Sequence, residues 1–175
     1  MKFDTILENK SRGSMDWTIP KGWEMNNDFQ FYVEGGSVQK GTKLKLKGAT
    51  NKSMTQTCFL RIFRLGWYSG RGARKVYHSG DFSVEPGVTW NINSNSKQDL
   101  FQNGPSWPCL FELEIPQDWC DGLYVVKIEN ENGLATLAPF WLTEPQEAEG
   151  VTVCFSPVNM QARNWWGGAS ATQVI

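Results

Sequence analysis

The chain has little of what several common function classes require. It has one histidine, His78, a formal net charge of −1 and no apolar stretch long enough to cross a membrane. The near-zero charge argues against a protein that binds nucleic acid or anionic lipid through bulk charge. A histidine-based triad would have to use His78, and no serine or cysteine stands nearby in a nucleophile-elbow pattern. We therefore interpret His78 as a solvated turn residue.

Cysteines are few, and their spacing excludes the usual metal sites. Cys58, Cys109, Cys120 and Cys154 form no CxxC pair and have no histidine at zinc-ligand spacing. Residues 1–10 carry acidic side chains and no apolar segment of the signal-peptide kind. We expect a cytoplasmic protein with reduced thiols; an exported protein would favour a Cys109–Cys120 disulfide instead.

Short strand patterns separated by turn signals fill the middle of the chain. Lys43–Lys47 alternates lysine and leucine, with the lysines on a solvent face or a sheet edge. Gly122–Ile128 is the clearest strand, and its Tyr124 is placed to act as a corner tyrosine. The pattern predicts an all-β domain, a β-sandwich of immunoglobulin or fibronectin-III type. Further strands are predicted at Phe29–Val33, Cys58–Leu65, Arg74–Tyr77, Phe82–Val84, Val88–Ile92, Phe111–Ile115 and Leu134–Leu142.

Composition divides the chain into four parts. Residues 1–28 have no sustained period and are interpreted as an N-terminal arm before the sandwich at 29–143. Residues 144–150 are acidic, polar and proline-containing, which is typical of a linker. The apolar run that opens 151–175 indicates a buried parallel strand. Because 25 residues cannot bury a core of their own, this segment either packs on the sandwich or is the first piece of a second domain.

A glycine- and arginine-rich turn is the most informative feature. Three glycines require backbone torsions or close approaches that a Cβ would block, and arginines flank an adjacent Trp-Tyr pair. The turn predicts either an anion or amide site or a domain-docking loop whose arginines pair with carboxylates of a neighbouring domain. It lacks the GxxxxGK[ST] pattern of a phosphate loop. We define the Gly/Arg turn by its candidate residues Arg64, Gly66, Trp67, Tyr68, Gly70, Arg71, Gly72 and Arg74.

Other reactive residues have simpler structural interpretations. Glu112 and Glu114 lie two apart on one strand face; that spacing suits a glycosidase pair, but a solvated face explains it more simply. Cys154 and Ser156 are weak nucleophile candidates because Cys154 lies in an apolar strand. Aromatic residues beside turns either plug sandwich ends or form a sugar-binding surface. The second possibility makes a stand-alone carbohydrate- or ligand-binding module the alternative function, using Trp67, Tyr68, Trp107 and Trp119.

Two segments resemble motifs of the N,N-dimethylformamidase large (beta) subunit-like family. Phe63–Arg74 reads FRLGWYSGRGAR and is similar to that family's R-x-G-Y/W-Y-G-G-x-G-A-R signature. Phe155–Ser170 reads FSPVNMQARNWWGGAS and is similar to its P-x-x-T-x-Q-A-Y-N-x-W-G-G-x-S segment. The residues that match the second motif are Gln161, Asn164, Trp165, Gly167 and Gly168.

The resemblance implies a sandwich that leads into an α/β domain like that of glutamine amidotransferases, where iron held by two tyrosines and a glutamate supports amide hydrolysis. It makes residues 151–175 a short, truncated start of that α/β domain. Arg163 stands at the motif's tyrosine position, and a guanidinium has no lone pair to ligate a metal, so no metal ligand is carried over. We thus expect a scaffold portion of an amide hydrolase that is inactive alone and holds no cofactor. Its expected partner is a catalytic domain or subunit in another chain, with a homo-oligomer as a further option.

Overall fold

The structure is a computed structural model that describes residues 5–24, 29–50, 54–86 and 107–143. Nine β-strands make up most of the described residues. They are β1 (Phe29–Val33), β2 (Ser37–Gln39), β3 (Lys43–Thr50), β4 (Gln56–Leu65), β5 (Ala73–His78), β6 (Phe82–Val84), β7 (Cys109–Glu114), β8 (Gly122–Asn130) and β9 (Ala135–Thr143), preceded by the one-turn helix α1 (Thr5–Glu8). Over these ranges, none of the helical segments has the length and apolar character needed to cross a bilayer.

The strands form two sheets in an immunoglobulin-like order. One sheet has the order β1-β3-β7, and the other has the order β2-β9-β8-β4-β5, with β6 pairing to β4. The short strand β2 runs parallel to β9, while the other paired strands are antiparallel. The chain crosses between the sheets at β1–β2, β2–β3, β3–β4, β6–β7 and β7–β8, while β4, β5 and β6, and likewise β8 and β9, share the larger sheet. A smaller sheet packed on a larger antiparallel one in this order is typical of the immunoglobulin sandwich. The predicted all-β fold is confirmed.

Side chains that alternate along the strands fill the space between the sheets. Leu44 and Leu46 of β3 are fully buried, and they face Leu60, Ile62 and other apolar residues of the larger sheet. The lysines of β3 take the opposite face and form ion pairs with glutamates. Because β3 is the central strand of its sheet, these lysines line a solvated face and not a sheet edge.

Tyr124 is a corner tyrosine, as predicted. Its hydroxyl donates a hydrogen bond to the carbonyl of Cys120, four residues upstream at the entrance to β8. Its ring stacks between Trp119 and Phe140, with ring centroids 5.4 Å from each. Burial raises the pKa of Tyr124, so the hydroxyl stays protonated and remains a donor. The residue therefore ties the loop before β8 to the core.

Most strand predictions agree with the structure, with differences at the ends. The structure extends β3 to Thr50 and β4 back to Gln56, and it adds β2, whose three residues are too few for a periodic signal. The predicted strand Val88–Ile92, the linker 144–150 and the segment 151–175 lie outside the described residues.

The N-terminal arm, residues 5–24, runs along the outer face of the larger sheet. Halfway along the arm, Ser14 forms a bridge with Ala73 at the beginning of β5. Just after it, Lys127 Nζ donates to the carbonyl oxygens of Asp16 and Thr18, at 2.9 Å each. The arm ends beside the first residue of β9, where the backbone N–H of Ala135 donates to the carbonyl of Trp23.

Candidate functional site: the Gly/Arg turn

The Gly/Arg turn connects β4 to β5 and is closed by its own backbone. The N–H of Gly66 donates to the carbonyl of Gly72 across 3.0 Å, at the neck of the turn. Between them, Tyr68 and Ser69 have φ values of 40° and 56°, in the left-handed region that non-glycine residues seldom adopt. Gly70 and Gly72 also have positive φ, a conformation that glycine adopts readily because it has no Cβ.

Arg64 is buried beneath the turn, with 5% of its surface exposed. One guanidinium nitrogen donates to the Tyr68 hydroxyl at 3.0 Å, and another donates to the carbonyl of Asp121 at 3.0 Å. Gly122 leaves room for this contact, since a Cβ there would lie 3.3 Å from the guanidinium. Arg64 therefore joins the turn to the entrance of β8.

Arg74 pairs with a carboxylate of the arm. Its Nε and Nη2 donate to the two oxygens of Glu8 at 2.6 and 3.1 Å, and the Tyr68 hydroxyl donates to the same carboxylate at 2.7 Å. If the turn were a domain-docking loop of the predicted kind, its arginines would pair with carboxylates of a neighbouring domain. For Arg74 that expectation is wrong, because Glu8 belongs to the arm of the same chain.

The Glu8 carboxylate is held in its charged form. Burial raises the pKa of Glu8, but the hydrogen bonds from Tyr68 and Arg74, aided by the charges of Arg74 and Arg64, more than offset this and lower the pKa below its ordinary value. A carboxyl whose pKa is lowered on folding stabilises the fold above its unfolded-state pKa. That contribution is lost as pH falls through the folded-state pKa.

The turn does not present an open anion site. Arg64 and Arg74 are engaged within the chain, and the N–H groups of Gly66, Gly70 and Gly72 donate to carbonyl groups of the turn itself. The turn's exposed features are different ones. Trp67 is 72% exposed, and Arg71 is exposed with no side-chain hydrogen bond to any residue that the structure describes.

A family profile decides where the chain belongs. Residues 60–173, more than half of the chain, match the profile described as N,N-dimethylformamidase beta subunit-like, C-terminal. The chain belongs to this family. The predicted resemblance is confirmed, and the match runs from β4 through the Gly/Arg turn and beyond the sandwich. The arm lies outside the matched residues.

The second motif of the dimethylformamidase-like family lies outside the described residues. Gln161, Asn164, Trp165, Gly167 and Gly168 are therefore predicted site residues without a described geometry, as are Arg163, Cys154 and Ser156.

Iron, which the family resemblance implies for the complete α/β domain, does not fit the described residues. Within the part of the chain that the structure describes, no three His, Cys, Asp or Glu side chains come together as metal ligands. Glu8 and Tyr68 are adjacent carboxylate and phenol groups, but Arg64 and Arg74 donate to their oxygens and occupy them. A further cation at that point would be repelled by the two guanidinium groups.

The sugar-binding alternative is not supported. Of its four aromatic residues, Tyr68 is fully buried and Trp107 and Trp119 are each 7% exposed, so only Trp67 faces solvent. Stacking on a sugar ring requires exposed aromatic faces. The Trp119 ring instead packs in the core between the sheets, the Trp107 ring packs against Tyr32, and Tyr68 lies under the arm. The disulfide expected for an exported protein is also not formed, since Cys109 and Cys120 are both free thiols.

The remaining candidates have structural roles. Glu112 and Glu114 are exposed on β7, and Glu112 accepts a hydrogen bond from Lys43 at 2.9 Å, which agrees with a solvated face. His78 is exposed at the end of β5 and contacts the Phe59 ring edge-to-face. Three arm residues that complete the turn, Glu8, Asn9 and Trp17, were not predicted from the sequence because no local pattern marks them.

Several solved structures show a distant likeness to the chain. An alkylpurine DNA glycosylase of Pseudomonas fluorescens is 18% identical, with a TM-score of 0.38 and coverage of 67% of this chain and 31% of that one. A sporulation control protein of Bacillus subtilis is 9% identical, with a TM-score of 0.36 and coverage of 69% and 49%. A superoxide reductase of Ignicoccus hospitalis is 8% identical, with a TM-score of 0.32 and coverage of 66% and 79%. The search of curated proteins found no match.

Proposed function

We propose that this chain supplies the β-scaffold of a dimethylformamidase-like amide hydrolase. In this role the sandwich supports the region that follows Thr143, and the Gly/Arg turn is the element against which residues 151–173 dock. The catalytic groups are supplied outside residues 5–143, by a catalytic region or by a partner subunit. Free thiols at Cys58, Cys109 and Cys120 are compatible with a reducing, cytoplasmic setting for this assembly.

The position where the chain leaves the sandwich carries this proposal. Leu142 of β9 pairs with Gly122 at the start of β8, and Tyr124 of β8 pairs with Arg64 near the end of β4. The end of β9 and the Gly/Arg turn therefore lie at the same end of the larger sheet. The family match also spans both the turn and residues up to 173, which supports a role that the two share.

The distances agree with docking within one chain. Two strand spacings separate β9 from β4, or about 10 Å. Residues 144–150 have a maximum reach of roughly 23 Å at about 3.3 Å per residue. The exposed Trp67 gives the turn an apolar anchor of the kind that is enriched at protein interfaces.

Photo-crosslinking in the full chain tests this docking. A benzoylphenylalanine placed at Trp67 should cross-link within the same chain to peptides from residues 151–173. The matched control is the same probe at Met54, which is also 72% exposed but lies before the opposite end of β4, roughly 30 Å away. Cross-links from position 67 that miss residues 151–173, or equal yields from both positions, would contradict the proposal.

The scaffold role also predicts that the isolated chain does not hydrolyse N,N-dimethylformamide. The reason is that Arg163 replaces the motif's tyrosine and a guanidinium does not ligate a metal. Release of dimethylamine by the purified chain, with and without added iron, should equal that of a buffer blank. Release that scales with the concentration of the chain would show that it carries its own catalytic site.

A further inference from the structure

The Gly/Arg turn has a backbone conformation that its own residues do not favour. Tyr68 and Ser69 are consecutive non-glycine residues with positive φ. Such a conformation is unfavourable for L-residues and persists only where surrounding contacts determine it.

The arm supplies hydrogen-bond acceptors for this strained backbone. The side-chain oxygen of Asn9 accepts from the N–H of Trp67 at 2.8 Å and from the N–H of Tyr68 at 3.3 Å. The neighbouring residue Glu8 accepts from the Tyr68 hydroxyl and from Arg74. Two consecutive arm residues therefore bind both the backbone and the side chain of the strained segment.

The rest of the arm packs closely on the same turn. Trp17 Nε1 donates to the carbonyl of Arg71 at 3.1 Å, and a Cβ at Gly72 would lie 3.0 Å from the Trp17 ring. A Cβ at Gly13 would lie 2.7 Å from the Arg71 Cβ and 2.8 Å from the Tyr68 carbonyl oxygen. A side chain at Gly13 would therefore clash with the turn, and a side chain at Gly72 would require the Trp17 ring to shift.

The far part of the arm is attached elsewhere on the sheet. Lys127 binds the carbonyls of Asp16 and Thr18, and Ala135 binds the carbonyl of Trp23. None of these contacts involves Glu8 or Asn9. Loss of the contacts at Glu8 and Asn9 would therefore leave the arm anchored on the sheet and affect the turn locally.

We propose that the arm is an intrachain clamp that holds the Gly/Arg turn in the conformation that exposes Trp67, with Glu8 and Asn9 as its positioning residues. The clamp lies outside the family-matched residues but acts on a motif inside them. An effect of the clamp on docking rests on the proposed function, which assigns docking to the same turn.

Amide hydrogen exchange in the full chain tests the clamp. In Asn9→Ala the amides of Trp67 and Tyr68 lose their acceptor and should exchange roughly five- to tenfold faster, which corresponds to one hydrogen bond. Glu8→Gln removes the charge that pairs with Arg74 and should also speed exchange in the turn. Lys10→Ala, an exposed neighbour in the arm, is the matched control and should leave the turn unchanged.

The amide of Val126 in the centre of β8 reports global stability in the same experiment. Faster exchange in the turn with unchanged rates in β8 supports the clamp. Unchanged rates in the turn, or equal acceleration in the turn and in β8, would overturn it, because the arm would then be either irrelevant to the turn or a general stabiliser.

Cross-linking from position 67 separates this inference from the proposed function. If both hold, the Asn9→Ala and Glu8→Gln variants should reduce the cross-linking yield to residues 151–173. If the parent chain gives no such cross-link while exchange in the turn still responds to Asn9→Ala, docking is wrong and the clamp stands.

Discussion

Tyr124→Ala should lower the free energy of unfolding by about 3–5 kcal/mol, the range for large-to-small changes in a packed core. The residue is fully buried and stacks between Trp119 and Phe140, so its removal leaves a cavity at the end of the sandwich. It also removes the hydroxyl that binds the Cys120 carbonyl. Urea denaturation followed by tryptophan fluorescence measures the change.

Tyr124→Phe separates the two contributions. The ring and its stacking remain, while the carbonyl of Cys120 loses its donor, so a smaller loss of about 1–2 kcal/mol is expected. If Tyr124→Phe destabilised the protein as much as Tyr124→Ala, the hydroxyl and not the packing would dominate. If it had no effect, the corner hydrogen bond would contribute nothing to stability.

Arg64→Met should have the second-largest effect, about 2–3 kcal/mol, because a buried charged donor is lost and its acceptors remain. The Asp121 carbonyl would lose its bond to the guanidinium, and the Tyr68 hydroxyl would lose its donor while still donating to Glu8. Methionine retains much of the apolar volume, so the measurement reports chiefly on the hydrogen bonds. Chemical denaturation with an unchanged m-value gives the difference.

Arg71→Met is the matched control for Arg64→Met. Arg71 belongs to the same turn, but its side chain is exposed, so its replacement should change stability by less than about 0.5 kcal/mol. Equal losses in the two variants would show that the turn responds to total charge and not to the buried contacts of Arg64.

Local patterns predicted the parts of the fold that depend on neighbours in sequence. The alternation in β3 placed Leu44 and Leu46 in the core, and the run that starts at Gly122 gave β8 with its corner tyrosine. These predictions were possible because the period of side chains along a strand is a property of the strand itself. The spacing of glycines and arginines likewise located the Gly/Arg turn.

The partners of the turn did not follow from any local pattern. Glu8 and Arg74 are 66 residues apart, and Asn9 and Trp67 are 58 apart, so no period connects them. Which tryptophans face solvent also depended on packing, since Trp119 is covered by the core while Trp67 is not.

From the amino-acid order alone came the β-sandwich, the position of the Gly/Arg turn and the family to which the chain belongs. Only the tertiary structure decided that the arm covers the larger sheet, that Glu8 and Asn9 complete the turn, and that Trp67 alone of the four candidate aromatics is exposed. The physical reason is range: strand period and turn chemistry act between residues close in sequence. Burial and ion pairing depend on which distant segments the folded chain brings together.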